Sequence, residues 1–224
     1  MGQDIKIIEE TYDIVAEEYA EEFVGEHAKK PMDRTMLRRF ARELGNRKPV
    51  WDFGCGPGQT SAFLKGLGVE ISGMDLSQKI LEHAARRHPG ISFRQGNILA
   101  TGFQKNSIAG IVAFYAIVHF TQEQVESAFQ EIFRILQPGG TFLLTFHIGV
   151  ETLAIAEYLG KSVGIDFMFF TTEFISGALG KAGFEKIDII ERDPYPEVEY
   201  ESRRAYVLAR KPEITCISIA DRLK

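Results

Sequence analysis

Residues 50–58 read VWDFGCGPG, an apolar run that closes on an acid and opens into three glycines within five positions. The pattern predicts a strand, a bare turn, and a helix starting at Gln59. Glycines at 54, 56 and 58 permit positive φ and let a ligand lie directly on the main chain. Alone they are a weak signal that many nucleotide-binding turns share. Asp75 sharpens it, because it closes the next apolar run, VEISGMD, about 20 residues beyond the loop, where a carboxylate can accept both hydroxyls of a ribose. Pro57 removes an N–H from the turn, Gln59 stands where a dinucleotide-binding turn has its third glycine, and Asp52 sets a negative charge beside it. Together these features suit a cationic, phosphate-free nucleoside better than a pyrophosphate.

Outward from the loop, short apolar runs alternate with helical segments. The strands predicted are VWDF, VEISGMD, ISFRQ, SIAGIVAFY, TFLLTFH, FEKIDIIER and RRAYVLAR. Helices fall over 59–65, 77–87, 121–136 and 172–182. Strands too apolar to have a wet face, taking turns with helices, imply an α/β fold: a doubly wound, mostly parallel seven-stranded sheet covered on both sides. The last two strands have no helix between them and are joined by DPYPEVEYES, which predicts an antiparallel hairpin at the sheet edge. Ahead of the sheet, Ile8, Tyr12, Val15, Tyr19 and Phe23 recur at helical spacing over 4–30. One amphipathic N-terminal helix is expected there, broken at Pro31, and a second over 32–45 capped by Gly45. A single domain over 1–212 follows, with 1–47 as a helical cap and 148–171 as an insertion placed to form a lid. The tail, 213–224, has no assigned role.

Composition bounds the functions. The 224 residues are 45% hydrophobic and 25% charged, with a net charge of −5, which leaves no electrostatic footprint for nucleic acid. Cys55 and Cys216 form no metal-ligand spacing, and no metal is expected. The start, MGQDIKIIEE, lacks the plan of a signal peptide, and the longest apolar stretch, IAGIVAFYAIV, is too short to span a membrane. The expectation is a cytoplasmic protein, monomer or homodimer, with no nucleic-acid or membrane partner.

At this point the chain resembles the class I S-adenosylmethionine-dependent methyltransferases, particularly their small-molecule branch. The likeness rests on WDFGCGPG, MDLS, QGNI and LQPGG in that order, over about residues 48–147, and on the leading YDIVAEEYAEEF. It implies the Rossmann-like methyltransferase fold and S-adenosyl-L-methionine as cofactor. Carried onto this sequence, it sets the loop from Gly54 through Cys55 and Gly56 to Gly58 against the methionine and ribose, with Asp52 near the amino group and Tyr19 on the covering helix. Asp75 would hold the ribose hydroxyls and Leu76 would pack on adenine. Asn97 replaces the more usual Asp beside the adenine amine, Ile98 would offer its backbone N–H, and Ala113 and Phe114 would close over the methionine chain. Several of these positions have plainer roles too: Asp52 or Asp75 as helix caps, Cys55 as a small loop residue with no base beside it, LQPGG as a helix stop.

Methyl transfer needs alignment and desolvation more than a base, because the donor carries its own activation. His119, after the fourth strand, and His147, ending the fifth, are the candidate catalytic groups; each could instead cap the following segment. Arg192, Tyr195, Glu199, Arg203 and Arg204 are expected as solvated cross-strand pairs, but turned inward they would suit a substrate carrying both carboxylate and amine. DFMFF, 166–170, reads as core packing before pocket wall. The leading function is methylation of an O or N atom of a small organic molecule. The competing readings are a non-catalytic S-adenosylmethionine-binding sensor or partner module, and a nicotinamide-dependent oxidoreductase.

Overall fold

The computed structural model describes residues 4–213; Cys216 and nearly all of the unassigned tail lie outside them. Four helices come first: α1 (Ile5–Ile14), α2 (Ala16–Glu22), α3 (Glu26–Lys29) and α4 (Pro31–Leu44). The alternating part follows as β1 (Val50–Phe53), α5 (Gln59–Gly66), β2 (Ile71–Asp75), α6 (Gln78–Arg87), β3 (Ser92–Gln95), β4 (Ile108–Phe114), α7 (Gln122–Ile135) and β5 (Leu136–His147). Then come β6 (Thr152–Tyr158), β7 (Lys161–Met168), α8 (Thr172–Ala182), β8 (Glu185–Arg192) and β9 (Arg204–Arg210).

The seven-stranded sheet runs β3-β2-β1-β4-β5-β9-β8, parallel through β5 and antiparallel at β9 and β8. Strand order reverses between β1 and β4, so a crevice opens outside their carboxyl ends, where α/β sheets bind ligands. One apolar layer packs Ile111, Phe129, Ile132, Phe142 and Leu179 under α7 and α8, and the other packs Phe40, Leu44, Leu64 and Tyr206 under α4 and α5. LQPGG does not simply precede a strand. Leu136 already pairs with Ile108 while Thr141 pairs with Gly110, so residues 137–140 bulge from β5.

Two expectations about the cap need correction. The single helix over 4–30 is three helices: Val15 leaves helical ψ at 9°, and Gly25, at φ 68°, breaks the chain again. Pro31 starts α4 at its first position rather than ending a helix, where its missing N–H is not needed. Residues 148–171 are not loop but mostly a second sheet, the β6–β7 antiparallel hairpin. It packs on the cap through Val15, Val163 and Ile165, with Tyr12, Tyr19, Tyr158 and Phe167 around them. Cap and hairpin together roof the crevice. No described helix is long and apolar enough to cross a membrane.

Candidate active site

The glycine loop is pinned from three sides. Gly54 and Cys55 donate their N–H groups to the Met74 carbonyl at 2.8 and 3.1 Å. Gly54 has φ 65°, and a Cβ there would lie 2.6 Å from that of Ala116, so only glycine lets the loop pass beneath the turn after β4. Gly56 N–H donates to Asp75 Oδ2 at 2.9 Å and Ser77 N–H to Oδ1 at 3.1 Å. Each carboxylate oxygen is thereby oriented by one backbone donor and keeps lone pairs for a further partner. Burial pushes the Asp75 carboxyl up from its ordinary range, and these backbone bonds pull against that.

Two spaces meet at this loop. A narrow cleft of about 70 Å³ is lined by Asp75, Leu76, Ile80, Gly96 and Ile98 on the sheet side and by Ile8, Tyr12 and Tyr19 on the cap side. A chamber of about 390 Å³ extends from it under the β6–β7 hairpin, past Cys55, Phe23, Tyr158, Phe167 and Phe169. Tyr12, Tyr19, Gly54, Gly56, Phe114 and Tyr115 line both. Tyr115 sits at φ 54°, uncommon for a bulky residue, held by its N–H to Thr145.

Four residues expected at the cofactor line neither space. The Asp52 carboxylate turns under the loop to accept from Ser61 Oγ at 2.7 Å and is fully buried; burial pushes it up to about 7. Its charge therefore does not face the loop, and the bias against pyrophosphate cannot come from it. Asn97 Oδ1 accepts from Leu99 N–H at 2.8 Å, a local turn that engages the carbonyl expected at adenine. Ala113 is packed in the core of β4. Gly58 is the left-handed N-cap of α5, where a Cβ would meet Phe93 and His88 at 2.9 Å.

The raised Asp52 carboxyl carries a pH consequence. In the unfolded chain it titrates near its ordinary value, so its folded form binds a proton as pH falls from about 7 to about 4, and that contribution to stability is lost as pH rises. Asp52→Asn keeps an acceptor for Ser61. Its stability relative to wild type is expected to rise from pH 4 to pH 7 and then level off, which thermal melts across that range will check; parallel curves would refute it.

His119 and His147 lie apart. His119 lines the narrow cleft, its Nδ1 donating to the Asp166 carbonyl at 2.7 Å and its Nε2 2.9 Å from the Tyr12 hydroxyl. With Nδ1 as the donor, Nε2 must be the acceptor, so Tyr12 donates to it. Burial pushes His119 down to about 4. His147 lines the chamber, stacked at 25° on Phe169, with Nδ1 2.7 Å from Ser202 Oγ; burial and then Arg204 push it down to about 3. Both rings are neutral at pH 7.

The edge hairpin does not carry solvated pairs throughout. Register sets Arg204 opposite His147 on β5 and Arg192 on β8, at the same end of the sheet as the chamber. Glu199, 1% exposed, reconciles the two arginines: Arg192 donates to it through Nη1 at 2.5 Å and Nη2 at 2.8 Å, and Arg204 Nε lies 3.2 Å away. Arg192 also reaches Tyr206, whose hydroxyl donates to buried Asp33 at 2.5 Å. Arg203 alone behaves as expected, exposed beside Glu191 and Asp193. In DFMFF, Phe170 packs in the core while Phe167 and Phe169 form chamber wall.

Comparison with known proteins meets this geometry. Residues 50–140 match the model of a methyltransferase domain family. A probable S-adenosylmethionine-dependent methyltransferase of Mycolicibacterium smegmatis is 30% identical over 52% of this chain and 47% of its own length. A malonyl-acyl-carrier-protein O-methyltransferase of Enterobacter lignolyticus is 32% identical over 51% and 42%. Over residues 50–140 the chain is similar to S-adenosylmethionine-dependent methyltransferases. It spans about half the length of the curated relatives it matches. The methyltransferase fold extends over nearly the whole chain, since the solved structure of the cyclase SpnF superposes with TM-score 0.72 at 17% identity, covering 95% of this chain and 98% of that one.

Sequence reasoning missed several residues of this site. Lys30, Glu26, Tyr115 and Tyr158 all line the chamber. For Tyr158 a signal existed, because TLAIAEY and KSVGIDF alternate around Leu159-Gly160, a hairpin turn with φ 50° and 76°. Lys30 and Glu26 gave none beyond helical spacing, since their meeting with Gln59 and Glu199 depends on how the cap folds back.

Proposed function

We propose that the protein is an S-adenosylmethionine-dependent methyltransferase that moves a methyl group to an O or N atom of a small molecule held in the chamber. The observation that carries this is the junction: a narrow cleft with a tethered carboxylate opens, across Gly54, Gly56 and Tyr115, into a second, larger chamber. A donor-binding sensor needs the cleft and has no use for the chamber.

The residues fit the donor. Leu76, Ile80 and Ile98 offer an apolar slot for a purine beside Asp75, whose free lone pairs suit a ribose diol. No Lys or Arg among the described residues lines the cleft, so a pyrophosphate would meet Asp75 uncompensated while a sulfonium would not. When bound, the donor supplies an electrophilic methyl, which the acceptor's lone pair takes in line as sulfur keeps the breaking bond's electrons. The chain's share is alignment and exclusion of water: the cap and the β6–β7 hairpin cover both spaces, and Tyr12, tied to His119, forms the wall between them. At about 4 and 3, neither His119 nor His147 takes up a second proton at neutral pH, which makes them positioning groups rather than strong bases.

Incubation with labelled S-adenosylmethionine and a metabolite pool, followed by mass spectrometry, tests the reading. S-adenosylhomocysteine with a labelled product is expected; tight donor binding without turnover would favour the sensor, and stabilisation by NAD alone would favour an oxidoreductase. Tyr12→Phe frees the His119 ring and loosens that wall. Its turnover is expected to fall about tenfold, on the order of one hydrogen bond, with S-adenosylhomocysteine affinity changed less than twofold. Wild-type turnover would remove the pair from the mechanism.

A further inference from the structure

The chamber has one wall with unmet hydrogen-bond donors. Arg204 lines it and is 3% exposed. A guanidinium has five N–H donors. Among the described residues, Arg204 Nη1 donates to the Ser202 carbonyl and lies 3.5 Å from its hydroxyl, Nη2 makes no hydrogen bond, and Nε is buried without one. Glu199, 3.2 Å from Nε but off its axis, is the one described carboxylate within ion-pair range of Arg204. It is committed elsewhere: Arg192 binds both its oxygens, Tyr195 N–H donates to it at 2.9 Å, and Lys30 Nζ lies 3.9 Å away. Three cations thus converge on one carboxylate.

Buried donors are normally satisfied, and an orphaned Nε next to an unbonded Nη2, on a side chain that lines a cavity, calls for a partner from that cavity. The free edge of Arg204, Nε with Nη2, is the fork that matches two oxygens of a planar or tetrahedral oxyanion. Lys30, bonded to Glu26 at 2.7 Å, is a second cation on the same chamber. The rings of Tyr19, Phe23, Tyr158 and Phe167, with Glu22 and Glu26 among them, line the same chamber. The chamber, about 390 Å³, has the size of a small-molecule site.

We propose that the methyl acceptor carries an oxyanion, a carboxylate or a phosphate monoester, that seats on the free edge of Arg204 with Lys30 beside it, while the rest of the molecule lies on the aromatic wall. This deepens the methyltransferase reading and rests on it for calling the occupant an acceptor. The anion completes the Arg204 shell, and its fixed position sets which atom of the molecule reaches Tyr115 and the glycine loop.

Calorimetric titrations of the full chain with phenylacetate, phenyl phosphate and uncharged phenylacetamide, with and without saturating S-adenosylhomocysteine, test it. At least one anion is expected to bind tenfold or more tighter than phenylacetamide, the tighter of the two naming the oxyanion. Arg204→Met, melting cooperatively, should abolish that preference, and Arg204→Lys, which keeps the charge and loses the fork, should cut it at least threefold. Three probes binding alike or not at all in the wild type would overturn the proposal, as would a preference surviving in both variants. S-adenosylhomocysteine failing to bind while the anion preference stands would sink the donor reading alone; donor binding without the preference would sink the subsite alone.

Discussion

Glu199→Ala is expected to destabilise the protein by about 3–5 kcal/mol, the range for removing one partner of a buried ion pair. The side chain is 1% exposed and the only carboxylate among the described residues within ion-pair range of both Arg192 and Arg204. Its own carboxyl is held below its ordinary range against burial by the Arg192 bonds and the Tyr195 N–H. Without it, the only carboxylate left to Arg192 among the described residues is Asp33 at 3.6 Å, and Arg204 keeps none. The substitution strands two guanidiniums that β8 and β9 place directly opposite each other, where like charges repel. Chemical denaturation of the variant beside Arg203→Ala supplies the check. Arg203 is 55% exposed beside Glu191, and such a surface pair is worth about 0–1 kcal/mol. Equal losses in the two variants would show that the buried pair is no more than a surface one. Because the depressed carboxyl is protonated only at low pH, Glu199 contributes stability above its ordinary value that disappears as pH falls through its folded one.

The contrast between these two arginines marks what the sequence could carry. VWDFGCGPG, MDLS and the alternation after Pro49 are local patterns, and local patterns fixed the strands, the reversal at β1 and β4, and the loop that meets Asp75. Which way Arg192 and Arg204 face depends on register against β5, and that register depends on the 137–140 bulge and on a ten-residue-scale connection whose packing no period encodes. Asp52 shows the same limit at closer range. Its position before the glycines is legible, but its side chain belongs to Ser61, on the next helix, so a charge assigned to the loop is spent in the core. The β6–β7 hairpin was legible and overlooked, its alternation masked by Ala154, Ala156 and Gly164 at positions where larger side chains would have marked the faces. Tyr115 was not legible, since nothing in FYAIVHF announces a residue at φ 54° between two cavities.

Asp75→Ala is expected to weaken S-adenosylhomocysteine binding by about 1.5–3 kcal/mol, on the order of tenfold to 150-fold, the worth of a hydrogen bond to a charged group. The carboxylate cannot be replaced by a neighbour, because no other carboxylate among the described residues lines the cleft. It also orders the site before any ligand arrives, through Gly56 N–H on one oxygen and Ser77 N–H on the other. Asp75→Asn separates these two roles: its carbonyl can keep one backbone donor, while its NH₂ cannot accept from a ribose hydroxyl or from Gly56 N–H. Calorimetry on both variants should therefore show Asn nearer to Ala than to wild type in affinity, and nearer to wild type in melting temperature. Wild-type affinity in Asp75→Ala would move the ribose elsewhere. Full affinity in Asn with loss in Ala would show that the carboxylate serves the loop and not the ligand, leaving the backbone of Gly54 to Gly58 to hold the donor alone.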